Sequence, residues 1–367
     1  MKPVDLSKLR KSITKNHKIS DGFHDPDTWI DVGNYALNYR ISGSFFKGVP
    51  LGKVTVFAGE SGSGKSYLAS GNLVRNAQKM GVTPIILDSE FALDEKWLQN
   101  LGVDTSEEKL IRYPVSLVDD CANIVNDTMK WFLSEFGSAA KDEQPKILFI
   151  IDSLGMLSTP TEVDQFDKGE MKGDMGRKAK QLKALVTQCL KMFGPYNIGL
   201  VATNHVYKSQ DQFNPDDVIS GGSGFIFASS IIIASQKLKL KEDENGDKVS
   251  DVRGIRSKVK VVKSRYAKPF EEVELQIPWE TGMDPYSGLF DMFEKMGLLT
   301  REGNSYIYVD FDGVIHKQFQ KAWKKDHTRL QMIMREVEAL DAREPTAVGF
   351  DEGVDVDTVD FDQPAAE

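Results

Sequence analysis

GESGSGKS, residues 59–66, fits the spacing G-x-x-x-x-G-K-S. It follows the apolar run VTVFA (54–58) and precedes a helix-patterned stretch over 66–78. A glycine loop between a buried strand and a helix is the setting in which this spacing forms a phosphate cradle. Gly59, Gly62 and Gly64 let backbone N–H groups turn inward, Glu60, Ser61 and Ser63 complete the loop, and the helix N-terminus adds partial positive charge. Lys65 is then expected on the β- and γ-phosphates and Ser66 on Mg²⁺. The stretch predicts ATP binding, and with it an α/β body built to hold a strand–loop–helix unit.

Outward from the loop, strand and helix patterns alternate. TPIILD (83–88) reads as a second strand, 94–101 as a helix capped by Asp94, 117–136 as a long helix, and KILFIID (146–152) as the most hydrophobic strand. Met175, Ala179, Leu182, Val186, Cys189 and Phe193 fall on one stripe of a further helix, ahead of the strand IGLVAT (198–203). Uninterrupted apolar strands alternating with helices predict a mainly parallel, twisted sheet covered on both faces. After Ile231 the pattern turns to β: SSIIIA (229–234), a polar turn at 244–247, KVKVVKSR (258–265) and EEVELQI (271–277) read as an antiparallel extension. The expected organisation is an N-terminal helical arm for oligomerisation (1–35), a P-loop ATPase core (36–286), a small C-terminal α+β region (287–335) and an acidic disordered tail (336–367).

At 367 residues and 40% apolar content, the chain is long enough for a large buried core. Its net charge of −9 is uneven: residues 336–367 hold eleven acids against Arg343 alone, a charge of −10, which leaves about +1 for residues 1–335. The run DEGVDVDTVDFD (351–362) reads either as a solubilising polymer or as an acidic strand that competes with DNA for a basic surface. The N-terminal arm is basic (Lys2, Lys8, Arg10, Lys11, Lys15), with Leu6, Leu9 and Ile13 at helical spacing. Cys121 and Cys189 lie in helix-patterned stretches and suggest neither a zinc site nor a disulfide framework. No run has the roughly 18 apolar residues of a membrane span, and the charged start lacks a signal-peptide core. A soluble protein of the cytoplasm, the host's if phage-encoded, is expected.

Three further residues complete a hydrolytic set. Asp152 ends the apolar strand over 147–151, where a carboxylate lies beside the phosphate crevice and reaches Mg²⁺ through water. Glu90, just beyond TPIILD, is the candidate to orient or deprotonate the attacking water. His205, after IGLVAT, occupies the corresponding place on another strand, where a polar side chain senses the γ-phosphate or simply serves the structure.

The order GESGSGKS, ILDSEFALD, IIDSLGML, TNH, the pair Gly221 and Gly222, VKVVKSRYAKPFEEVELQI and DPYSGLFD resembles the bacterial RecA recombinase core over roughly residues 40–295. His at position 205, where RecA has Gln, and the short terminal parts look closer to the UvsX recombinases of T-even-like phages. The resemblance implies a RecA-like fold, Glu90 as catalytic glutamate and His205 as the switch between nucleotide and DNA. It places Asp94, Trp97 and Tyr286 at the adenine. It also implies that Lys263 and Arg265, which otherwise read as alternating charge on a strand, reach the γ-phosphate of a neighbouring subunit and stabilise charge there.

On the same resemblance, DNA contact comes from two loops. The first, 157–175, leads into a helix bearing Arg177, Lys178, Lys180 and Lys183; the second, 206–222, holds Lys208, Phe213, Gly221 and Gly222. Lysine and arginine give affinity without sequence preference, and Met175 or Phe213 is suited to wedge between bases. The acids Glu162, Asp164, Asp167 and Glu170 show that the first loop is not simply basic. The expected function is a strand-exchange recombinase with DNA-stimulated ATPase activity. It would form a helical homo-oligomer on single-stranded DNA, pair with homologous double-stranded DNA, and work with mediator and single-strand-binding proteins. A ring helicase on the same core and a non-enzymatic ATP-binding mediator are the competing readings.

Overall fold

The computed structural model describes residues 4–17, 24–170, 176–208, 217–243, 247–341 and 358–359. Helix α1 (Leu6–His17) leaves Leu6, Leu9 and Ile13 exposed. Strands β1 (Trp29–Ile30) and β2 (Val49–Pro50) pair antiparallel around α2 (Tyr35–Ser42). Asn34 starts α2 by accepting from Leu37 N, and left-handed Gly43 (φ 79°) ends it. Then come β3 (Val54–Gly59), wide π-type turns over Tyr67–Leu73 that run into α3 (Val74–Lys79), β4 (Val82–Asp88), α4 (Glu95–Asn100), β5 (Ile111–Pro114) and α5 (Val118–Phe136). These are followed by β6 (Lys146–Asp152), α6 (Pro160–Asp167), α7 (Arg177–Phe193), β7 (Ile198–Lys208), β8 (Asp217–Ile219) and α8 (Ser223–Ala228).

Strands β9 (Ile231–Leu240), β10 (Gly254–Lys263) and β11 (Glu272–Pro278) form the antiparallel extension. The C-terminal region comprises α9 (Leu289–Lys295), a three-stranded sheet of β12 (Thr300–Glu302), β13 (Ser305–Val309) and β14 (Ile315–Phe319), and helices α10 (Gln320–Lys325) and α11 (His327–Asp341). Two tail residues form β15 (Thr358–Val359).

The main sheet runs β11-β10-β9-β3-β7-β6-β4-β5, parallel from β9 to β5, as the sequence leads one to expect. Its central strands, β3 and β6 above all, are buried on both faces. One face packs Leu68, Leu73, Ile86, Ile150 and Ile233 with the C-terminal helices, and the other packs Val56, Phe149, Ile151 and Ala202 against α5 and α7. This double cover is why the strand sequences lack alternation. The sheet therefore brings the ends of β3, β4, β6 and β7 to one edge, where the candidate residues sit.

Three segments differ from expectation. β7 continues to Lys208 and pairs antiparallel with β8 (Val206↔Ile219, Lys208↔Asp217), so the second loop begins as a hairpin; the β-branched Val206, Val218 and Ile219 favour that extension. The first loop contains α6, nucleated by Pro160 at the first turn and by a reciprocal cap in which Thr159 Oγ1 accepts from Glu162 N and Glu162 accepts from Thr159 N. The expected tail begins too early. Residues 336–341 belong to α11 because Val337 is buried, Glu338 accepts from Phe45 N at 2.6 Å and Glu336 accepts from Tyr308 Oη. Further on, Thr358 and Val359 pair with Val218 and Asp217 of β8; residues 342–357 and 360–367 lie outside the described ones.

Candidate functional site

The loop after β3 is closed by its own side chains. Gly62 (φ 74°) and Gly64 (φ 98°) hold left-handed backbone that a larger residue resists. A Cβ on Gly59 would lie 2.3 Å from Ser235 Oγ of β9, so the loop is packed directly on that strand. Buried Ser63 shares a hydrogen bond with Ser235 Oγ (2.8 Å), and its carbonyl accepts from Ser257 Oγ of β10 (2.8 Å). Glu60 accepts from Lys237 N at 2.8 Å, while Ser61 is exposed at the rim.

Lys65 folds over the cradle. Its Nζ donates to Gly59 O and Glu60 O, both at 2.9 Å, so carbonyls take the places that phosphate oxygens suit. Burial holds the ammonium below the usual lysine range, with Glu90, Asp152 and Glu60 opposing. An anion at this point relieves that cost.

Ser66 Oγ donates to Asp152 Oδ1 at 3.3 Å, Ser70 Oγ donates to Asp152 Oδ2 at 2.7 Å, and Thr203 Oγ1 donates to Oδ1. Burial raises the Asp152 carboxyl above the ordinary range, opposed by those three hydroxyls. A buried carboxylate already accepting three donors, with a serine hydroxyl beside it, fits Mg²⁺ held by Ser66 with Asp152 acting through water.

Glu90 follows β4, and His205 lies on β7; two strands of the sheet thus bring Glu90 Oε1 and His205 Nε2 to 3.0 Å. The peptide after Asp152 is cis, and Ser89 ties the Glu90 loop to that turn: Ser89 Oγ donates to Ser153 O (2.6 Å) and accepts from Ser153 N (2.7 Å). Asp94 caps α4 by accepting from Trp97 N at 2.8 Å, and Trp97 packs half-buried on the core.

Other expected residues are placed apart from this edge. Tyr286 stacks on His327 (3.9 Å between ring centres, 4° between planes), touches Tyr35 and accepts from Gln331 Nε2 at 2.6 Å. His327 thus covers one face of its ring. On the segment leading to it, Trp279 is 68% exposed, and Met283 N donates to Tyr67 Oη at 2.9 Å, just after the P-loop. Lys263 is buried, its Nζ donating to Phe227 O at 3.1 Å, while Arg265, two residues on, and the side chain of Phe227 are exposed.

Toward the two loops, Arg177 Nη1 donates to Thr161 Oγ1 (3.2 Å), tying α7 back to the first loop, and Lys178 Nζ donates to Gly155 O (2.7 Å), in the turn just before it. Lys180 and Lys183 are exposed. Gly221 (φ 94°) and Gly222 (φ 82°) turn the chain into α8, and a Cβ on Gly221 would lie 3.0 Å from Leu182. The backbone of Lys208 ends β7; Met175 and Phe213 lie outside the described residues.

A P-loop at the carboxyl edge of a doubly covered sheet, with an acid just beyond the end of β4 and a histidine on β7 against it, defines a nucleotide-binding protein of the RecA-like class. Residues 24–284 match the RecA N-terminal domain family. The recombination and repair protein of Enterobacteria phage T4 is 28% identical over 337 residues, 89% of this chain and 78% of that protein. Protein RecA of Mycobacteroides abscessus is 27% identical over 311 residues, 83% of this chain and 81% of that protein. Protein RecA of Nocardioides sp. is 28% identical over 311 residues, 83% and 80% of the two chains.

The chain belongs to the RecA family. At that level it is a recombination and repair protein, and membership implies nucleotide binding with Mg²⁺. Among the described residues, no helix is long and apolar enough to cross a membrane.

Proposed function

We propose that the chain hydrolyses ATP in a DNA-stimulated reaction, assembles as a helical filament on single-stranded DNA, and exchanges strands with a homologous duplex in recombination-dependent replication and repair. The observation that carries this reading is the 3.0 Å contact between Glu90 and His205. His205 continues through β7 into the hairpin of the second loop, so a shift of that hairpin moves the partner of the candidate hydrolytic carboxylate. A fixed acid and a strand that leads away from it are the parts a DNA-responsive ATPase needs.

Glu90 orients the attacking water, Lys65 holds the β- and γ-phosphates, and bound Mg²⁺ supplies charge neutralisation from Ser66 and Asp152. Asp94, Trp97 and Tyr286 border the base. Arg265, solvent-facing here, and Lys263 serve the nucleotide of the next protomer, since head-to-tail contacts generate open helices. Arg177, Lys178, Lys180, Lys183 and Lys208 supply phosphate contacts, and Met175 and Phe213 wedge between bases. The protein works in the cytoplasm beside mediator and single-strand-binding proteins.

Electron microscopy with single-stranded DNA and a slowly hydrolysed ATP analogue tests the reading. Regular helical filaments are expected; closed rings would point to a helicase, and dispersed particles to a binding module.

A further inference from the structure

Strand β5 is the edge of the main sheet, and all four of its residues are exposed along their length. One of them reaches inward. Arg112 Nη2 lies 2.6 Å from Asp88 Oδ2, with side-chain exposures of 35% and 0%. Asp88 is the last residue of β4, two before Glu90. Its Oδ2 also accepts from Leu93 N at 3.4 Å, and its carbonyl accepts from Val115 N at 3.0 Å. Its Oδ1 is buried with no hydrogen-bond partner among the described residues.

The four residues between Asp88 and Leu93 form a short excursion closed across its base by the Asp88 carboxylate. Within it, Phe91 holds φ 54°, a conformation a bulky residue resists, so the surroundings must impose the path. Ser89 fixes the near side through Ser153, and the Asp88–Leu93 contact fixes the far side. A buried carboxylate with one oxygen unsatisfied is costly unless its charge is matched, and Arg112 is the guanidinium that matches it.

We propose that Arg112 is a positioning residue for ATP hydrolysis: by pinning the Asp88 carboxylate it fixes the 89–92 excursion and thereby the placement of Glu90 against His205. Among the described residues, Arg112 makes no hydrogen bond or ion pair with Glu90 or the P-loop. It acts from the sheet edge through one buried acid. This rests on the reading of Glu90 as the hydrolytic carboxylate.

The test uses the full-length protein with single-stranded DNA. Arg112→Met removes the charge at similar length, Arg112→Lys keeps it, and Glu90→Gln serves as the reference. Arg112→Met is expected to lower kcat about tenfold or more while nucleotide KM stays within about twofold, because misplacement of a reacting group costs rate rather than binding. Arg112→Lys should restore most of that rate. In nucleotide-free protein, hydrogen exchange of residues 89–93 should accelerate in Arg112→Met while that of β6 and α7 stays unchanged.

Adding Asp88→Asn should recover part of the loss in Arg112→Met, since the orphaned charge is then gone. Parental kcat and parental exchange in Arg112→Met, beside a disabled Glu90→Gln, overturn this inference alone. Uniformly faster exchange through β4, β5 and β6 overturns it in favour of a general structural role. A Glu90→Gln protein with parental kcat overturns the underlying reading and this one together.

Discussion

His205 Nε2 meets Glu90 Oε1 at 3.0 Å although 115 positions separate them in the chain. The contact exists because β7 and β4 flank β6 and end at the same edge of the sheet. If it couples DNA to hydrolysis, His205→Ala should lower DNA-stimulated ATP turnover at least about tenfold. Nucleotide affinity should stay near parental. His205→Gln keeps a hydrogen-bonding group at the same reach and should retain most of the stimulation. Steady-state ATPase assays with and without single-stranded DNA decide this, and full stimulation in His205→Ala would contradict the coupling.

Asp152 links stability to pH in an unusual direction. Burial raises its carboxyl above the value it has in the unfolded chain. The charged form then opposes folding once pH passes the unfolded value, and does so fully above the folded one. Asp152→Asn should therefore raise the Tm of nucleotide-free protein at neutral pH. The advantage should shrink as pH falls through the folded value toward the ordinary 3.8. The same change should weaken Mg²⁺-dependent nucleotide binding by about tenfold or more. Thermal melts across pH, paired with nucleotide titrations, read both effects.

Two aromatics on one segment should separate by assay. Tyr286, stacked on His327 and bonded to Gln331, is part of the packing between core and C-terminal region. Tyr286→Ala should cost about 2–4 kcal/mol of stability. Trp279 is exposed, and Trp279→Ala should leave stability within about 0.5 kcal/mol. Its affinity for a fluorescent adenine nucleotide should stay near parental. Denaturant melts and nucleotide titrations on the two variants make the comparison.

The acidic tail pairs with β8 at the base of the second loop. Truncation after Asp341 keeps α11 whole and should strengthen binding to single-stranded DNA, most visibly at low salt. Truncation after Arg335 removes buried Val337 and the carboxylates of Glu336 and Glu338 that hold Tyr308 and Phe45. It should cost about 2–3 kcal/mol of stability. Affinity that is unchanged across a salt series after the first truncation would reduce the tail to a solubilising polymer.

Much of the fold was legible because its central strands are buried on both faces. KILFIID matches β6 residue for residue, and VTVFA and TPIILD each fall short of their strands by one residue. Legibility failed where tertiary partners decide. The edge strand β5 reads IRYP, all exposed, and nothing in that pattern announces that Arg112 belongs to Asp88. The hairpin of β7 and β8 joins segments eight residues apart whose pairing no local period records. TPTE at 159–162 did carry a helix-start signal, and α6 follows from it. At the site, GESGSGKS announced the cradle, but Ser63, Ser235 and Ser257 meet only after β9 and β10 fold beside it.

In the proposed filament the nucleotide site is shared between protomers, with Glu90 on one and Arg265 on the next. Glu90→Gln and Arg265→Ala proteins should each lose most DNA-stimulated hydrolysis. Mixed in equal amounts on single-stranded DNA, they should regain activity up to about a quarter of the parental rate, because one interface in four then joins an intact Glu90 to an intact Arg265. A mixture no faster than the two inactive proteins alone, on DNA that both coat, would contradict the shared site.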